Sequence, residues 1–303
     1  MRLSDYTRLL ALAAIWGASF LFMRITVPEF GAINSAFLRV FFGFVGLAVI
    51  LLALRCPIRF NGKFRACFTL GMINSGVPFV MYCIAAQWLP AGYSAVLNAT
   101  TPLMGALIGF TFFAEKLTLS KWAAVILGAV GIAIITTFGE AHSMQELVFG
   151  GLACLVATSC YAVSGFLTRQ WINNQGGLDP KIVAFGSQIG ATTLLLPLFI
   201  FTSTTDTSIH WAQGEVWASI IALGVICTAC AYIVFFRLIS DIGPLRSMTV
   251  TFLIPPFAIL WGYVVLDEAI SQGFIFGSLI VAVAVWLIVR PAKQAEEVKA
   301  LQS

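Results

Sequence analysis

Ten apolar runs divide the chain, at about residues 8–26, 33–54, 66–87, 91–113, 121–138, 147–170, 181–201, 216–237, 243–265 and 272–290. A helix needs roughly 20 mostly apolar residues to cross the hydrocarbon of a bilayer, and each run is close to that length. Inside lipid every backbone group must find its partner within the segment, so the runs are expected as helices and not as strands. Two of them carry interruptions: Asn74 and Pro78 in the third, Pro255 and Pro256 in the ninth. The first run superficially resembles a signal peptide. It is too long, lacks a cleavage site and is followed by nine similar runs, so it reads as the first span.

The polar positions sort by side. With the N-terminus inside, fifteen of the seventeen Lys and Arg residues fall on the inner face. The other two, Arg24 and Arg39, lie within or near the outer ends of the first two spans. The outer loops GEAHSMQE and STTDTSIHWAQGE carry no Lys or Arg. By the positive-inside rule both termini are expected in the cytoplasm, and an odd number of spans would scramble the pattern.

Composition agrees with this and removes other classes. Hydrophobic residues make up 60% of the 303 and charged residues only 10%, against about 25% charged in a soluble domain. An ordinary soluble enzyme, a disordered chain and a nucleic-acid binder are excluded. The net charge of +4 does not reopen the last, because the charges sit in short clusters between apolar runs. Five of the seven cysteines lie inside apolar runs and read as small hydrophobes, and the Cys227/Cys230 pair has no further ligands nearby. No metal and no cofactor are expected. Neither a Walker motif nor an HExxH or GxSxG pattern is present, so neither direct ATP use nor enzymatic chemistry is expected.

The chain also repeats itself. At an offset of 153 residues Pro102 falls on Pro255 and Glu115 on Glu268, with the same spacing of thirteen in each half. The stretch ATTPLMGALIGFTFFAEKL then lies against TFLIPPFAILWGYVVLDEAI, and IWGASFLFMR opens the first half much as SCYAVSGFLTR opens the second. Two units are expected, over 8–138 and 147–290, followed by a polar cytoplasmic tail at 291–303. Five spans per unit is an odd number, so the second unit enters the membrane inverted. Inverted repeats around a midplane site are a recurring plan of secondary transporters.

With these residues in view the chain resembles the drug/metabolite transporter superfamily, in its ten-helix EamA-type branch. The resemblance covers about residues 8–290. It rests on Trp16–Gly17–x–Ser19–Phe20, on Leu38–Arg39, and on the Pro102…Glu115 and Pro255…Glu268 elements. It implies an all-α membrane protein, with two inverted five-helix repeats around a central cavity among spans 1, 3, 4, 6, 8 and 9. It further implies a bacterial inner-membrane permease for small polar metabolites, often amino acids and often outward. Within the branch the chain is most similar to aromatic amino-acid exporters of the YddG type. Carriers of nucleotide-sugars, purines or cationic drugs are the alternative, and a channel a more distant one.

Polar side chains deep in a span are costly and often functional. The candidate cavity residues are Trp16, Ser19, Asn74, Phe79, Tyr82, Asn98, Thr101, Tyr161, Ser164, Tyr232 and Thr249. Helix–helix hydrogen bonding is the competing role for them. Aromatic rings with a few hydrogen-bonding tips suit an amino acid or aromatic metabolite better than a phosphate or a polyol. Arg39 is expected to snorkel to the outer headgroups, with pairing to an acid or attraction of a substrate carboxylate as the functional alternative. Arg24 is expected at the interface. Glu115 and Glu268 are expected to accept from the first amides of the helix that follows each, gate closure being the competing role. Pro102, Pro255 and Pro256 are expected to bend their helices symmetrically about the cavity. The partners expected are a small-molecule substrate and the lipid bilayer, with a monomer sufficient for function.

Overall fold

The computed structural model describes residues 3–138, 144–243, 247 and 249–289, so the tail at 291–303 lies outside the described residues. The described residues form ten helices. They are α1 (Leu3–Phe30), α2 (Ala32–Ala53), α3 (Phe64–Ala85), α4 (Ala91–Phe112), α5 (Leu119–Phe138), α6 (Met144–Trp171) and α7 (Pro180–Thr205). Then come α8 (Gly214–Gly224 continued through Ala231–Ile242), α9 (Val250–Leu266) and α10 (Gln272–Val289). Eight of them are long and apolar enough to cross a bilayer, and α5 and α9 contribute shorter apolar stretches.

α7 outruns its apolar stretch, its terminal hydroxyls folding back onto the helix's own carbonyls. The hydroxyls of Thr202, Ser203, Thr204 and Thr205 bond back to carbonyls one turn earlier in the stretch that takes α7 past residue 201. Gly31, at φ 75°, supplies the left-handed link from α1 to α2.

Two helices are locally unwound. In α3 the segment Met72–Gly76 is a π turn, and in α8 the segment Val225–Cys230 is another. The 153-residue offset places one on the other, and π turns concentrate at functional sites. Each sits where a neighbouring helix comes unusually close. A Cβ on Gly71 would collide with the backbone carbonyl of Ser187 in α7, and one on Gly190 with that of Phe68 in α3. At the corresponding junction a Cβ on Gly224 in α8 would run into the Phe42 side chain and the Arg39 carbonyl of α2.

The packing follows the same exchange. α1 packs on α9 and α6 on α4; α2 packs on α8 and α7 on α3; α5 and α10 lie against each other. Swapping the first five helices for the last five maps these contacts onto themselves. The main core draws on all ten helices, and the outer surface carries exposed Phe112, Leu119, Phe201 and Trp286, as a lipid-facing surface does.

Candidate functional site

The site begins with a break in α4. Pro102 has no amide hydrogen, so the carbonyl of Asn98, four residues earlier, loses its helical donor. The Thr101 hydroxyl takes over, donating to that carbonyl at 2.7 Å. The helix divides into Ala91–Asn98 and Thr101–Phe112, which leaves Asn98 at the break. The Tyr82 hydroxyl of α3 donates to Asn98 Oδ1 at 2.8 Å, fixing the amide and leaving its nitrogen as a donor unengaged among the described residues.

Around this break lies a cavity of about 360 Å3. α1 supplies Trp16, Ser19, Phe20 and Met23; α3 supplies Asn74, Phe79 and Tyr82; α4 supplies Asn98, Thr101 and Pro102. Tyr161 comes from α6, Cys227, Thr228 and Tyr232 from α8, Thr251 and Ile254 from α9, and Arg39 from α2. Rings dominate the wall. Tyr82 meets Phe20 edge-on at 5.6 Å between centroids and Tyr161 at 6.1 Å, while Trp16 leans on Phe235 at 5.2 Å. Ser164 is buried away from the cavity and Thr249 stands at the start of α9, so neither forms part of this wall.

Arg39 does not snorkel. It is 7% exposed, and its guanidinium carbon lies 3.7 Å from the centre of the Phe79 ring. Its Nε donates to Thr228 Oγ1 at 3.5 Å and one terminal nitrogen reaches Met23 Sδ at 3.6 Å. Phe79 from α3 and the π turn of α8 hold it inward, against the pull of the headgroups.

Arg24 is not at a solvated interface either. It is half-buried, donating to the Ala86 carbonyl at 2.7 Å and through Nε to Glu268 Oε1 at 3.3 Å. Glu268 accepts from the Ala91 amide at 2.9 and 3.1 Å. The carboxylate therefore caps α4, a helix from the other half, while at the first turn of α10 the Ser271 hydroxyl accepts from the Phe274 amide at 3.0 Å. This knot ties α1, α3, α4 and the end of α9 together at the end of the bundle remote from Leu3. Glu115 has the same local backbone: its amide donates to the Gly109 carbonyl as that of Glu268 does to Gly262, and Ala114 and Asp267 before them are both left-handed. Yet Glu115 is exposed, and among the described residues its carboxylate forms no ion pair. The carboxylate of Glu268 thus serves a helix of the other half and not only its own neighbourhood.

The prolines act unequally. Pro102 accompanies the break in α4, whereas α9 runs through Pro255 and Pro256 as one helix. Sequence reasoning missed Phe20, Met23, Ala99, Cys227, Thr228 and Ile254 as wall residues. For two of these a signal existed: the 153-residue offset that pairs Pro102 with Pro255 also carries Asn74–Ser75 onto Cys227–Thr228.

Known proteins share this architecture. A family profile described as the EamA-like transporter family matches residues 6–137 and again 148–290. An uncharacterized transporter of Bacillus subtilis (strain 168), YoaV, is 22% identical over 92% of this chain and 94% of its own. Protein PecM of Dickeya dadantii (strain 3937) is 24% identical over 97% and 96%. A probable terminal-alkyne amino-acid exporter of Streptantibioticus cattleyicolor is 24% identical over 96% and 95%. One solved crystal structure superposes with a TM-score of 0.61 at 17% identity, covering 95% of this chain and 96% of that one, a likeness of fold. Ten apolar helices around a ring-rich cavity, with a profile match over nearly the whole chain, make this a multi-pass membrane protein that belongs to the EamA-like transporter family.

Proposed function

We propose that the chain is a secondary carrier of small polar metabolites, amino acids including aromatic ones foremost, working by alternating access and exporting its substrate across a bacterial inner membrane with both termini in the cytoplasm. The observation that carries this reading is the cavity itself. It lies at the middle of the bundle and combines a ring-rich wall with the fixed Asn98 amide, the mixture of apolar surface and few oriented polar groups that small-molecule sites use. Its walls run from Met23 to Thr251 in the first turn of α9, while the opposite end of the bundle is tied by Arg24, Glu268 and the Ala91 amide. A tie of this kind at one end of the bundle is an element that a rocking cycle would make and break. The relative described as a probable amino-acid exporter supports the substrate class, and the two corresponding halves supply the elements that would rock. One copy encloses the whole cavity, so a monomer suffices.

The test is flux. Purified protein in liposomes should take up labelled amino acids saturably, with sugars and nucleotides failing to compete. Trp16→Ala and Asn98→Ala should each lower uptake at least tenfold while the protein stays monodisperse. Uptake of a sugar, nucleotide or cationic drug in place of amino acids would overturn the substrate class and leave the carrier reading standing. Flux that never saturates would point to a channel.

A further inference from the structure

A buried charge in a membrane bundle needs compensation, by a counter-ion, by hydrogen bonds or by the ligand. Arg39 is supplied with little of any. No carboxylate among the described residues pairs with it, and it is the only charged group among the described wall residues. Of the five N–H donors of a guanidinium, two are engaged among the described residues, both at long range, to Thr228 and Met23. Phe79 covers one face by a cation–π contact. That contact spends the face of the group and leaves its edge, where the N–H bonds radiate in the plane. The edge fork matches an oxyanion geometrically, and a planar carboxylate above all.

Two further features of the wall point the same way. The Asn98 amide has its oxygen occupied by Tyr82, so what it offers the cavity is a donor. The volume, about 360 Å3, lies near the lower limit of small-molecule sites, roughly 300–1,000 Å3, which fits one ring and a short polar arm better than a nucleotide-sugar.

We propose that Arg39 is the anion-binding residue of the cavity, and that the solute presents a carboxylate to it and an apolar, preferably aromatic, body to Trp16, Phe20, Tyr82 and Tyr161. This rests on the transport reading and sharpens it: amino acids bind through their carboxylate, simple aromatic acids share the site, and amines without an acid group do not.

Four probes with a common body separate the charges: L-phenylalanine, 3-phenylpropionate, phenylalaninamide and phenethylamine. Binding is read as a ligand-dependent shift in the melting temperature of the detergent-purified full chain, and transport as inhibition of labelled phenylalanine uptake in liposomes. The wild type should bind the two carboxylates at least tenfold more tightly than the amide and the amine. In Arg39→Gln that discrimination should collapse to within about twofold, and Arg39→Lys should restore part of it. A purely structural arginine would lower the baseline melting temperature without altering the ratio of acid to amine. Equal binding of amines and acids by the wild type overturns the proposal, and so does unchanged discrimination in Arg39→Gln. Should that variant fail to fold, the acid-to-amine ratio of the wild type decides alone. Binding of 3-phenylpropionate through Arg39 with no amino-acid uptake would keep the anion site and remove the amino-acid reading. No response to any of the four would remove the proposal.

Discussion

The two π turns are built alike and furnished differently. In the first half Ser75 of α3 accepts from Gln188 Nε2 of α7 at 3.3 Å. In the second half Thr228 of α8 accepts from Arg39 Nε of α2 at 3.5 Å. Each junction is a hydroxyl on a π turn, a glycine contact between helices and a long polar side chain reaching across from the second helix of the other half. One reach ends in a neutral amide that is fully buried; the other ends in a cation in the cavity wall. A shared scaffold thus supports a structural contact on one side and a charged, chemically useful one on the other. A symmetrical fold need not bind its solute symmetrically.

The largest effect should come from attacking the scaffold that the two junctions share. Gly71→Ala drives a Cβ into the Ser187 backbone, which has no rotamer to yield. Overpacking of this kind costs about 1–3 kcal/mol, and more where backbone must move. Gly71→Ala should therefore lower the melting temperature sharply and reduce the yield of monodisperse protein. Gly105→Ala is the control, since a Cβ there meets nothing within 4 Å, and a surface-like change of about 0.5 kcal/mol or less is expected. Equal behaviour of the two variants would show that the α3–α7 approach is not as close as described.

A second comparison sets the two glutamates against each other. Their backbones match, but Glu268 is held by Arg24 and the Ala91 amide while Glu115 stands exposed at the opposite end. Arg169, in the arginine that closes SCYAVSGFLTR as Arg24 closes IWGASFLFMR, is exposed too. A double-mutant cycle on Arg24→Ala and Glu268→Gln, read by thermal unfolding, should give a coupling of about 1–2 kcal/mol. The cycle on Arg169→Ala and Glu115→Gln should give about zero. Conditions that open the tied end should shift coupling from the first pair to the second; a fixed ratio under all conditions would argue against the two pairs alternating.

Much of the architecture was legible in the chain because lipid allows so few solutions. Apolar runs of near-span length had to be helices, and the charges between them fixed their number. Most of the cavity wall was legible for a similar reason: polar groups such as Asn98 and Tyr82 have no place on the lipid face. What failed was everything that depends on rotation and on distant partners. Arg39 lies within snorkelling reach of one end of α2, and only Phe79 and Thr228, on two other helices, decide that it turns inward. Glu268 looked like a cap for the next helix because that amide is near in sequence. Its partner, the Ala91 amide, is 177 residues away. Thr228 and Cys227 sit in an apolar run that hides them, and only the offset from Asn74–Ser75 gives them away.

The smallest effect expected is the one that separates the two junctions most cleanly. Gln188 is wholly buried, donates a single 3.3 Å bond to Ser75, and leaves its Oε1 without a partner among the described residues. Removing a group already half unsatisfied forfeits one modest hydrogen bond and relieves one desolvated acceptor, terms of about 1 kcal/mol each and opposite in sign. Gln188→Leu, close in volume, should therefore change stability by about 1 kcal/mol or less and leave the uptake of labelled phenylalanine within about threefold of wild type. Arg39→Gln places that same neutral amide at the other junction, yet should cost uptake at least tenfold, because what it removes is the charge offered to the solute and not a helix contact. If Gln188→Leu abolishes uptake as Arg39→Gln does, with both proteins folded, the polar reach across each junction matters for motion of the helices and the division between a structural side and a binding side disappears.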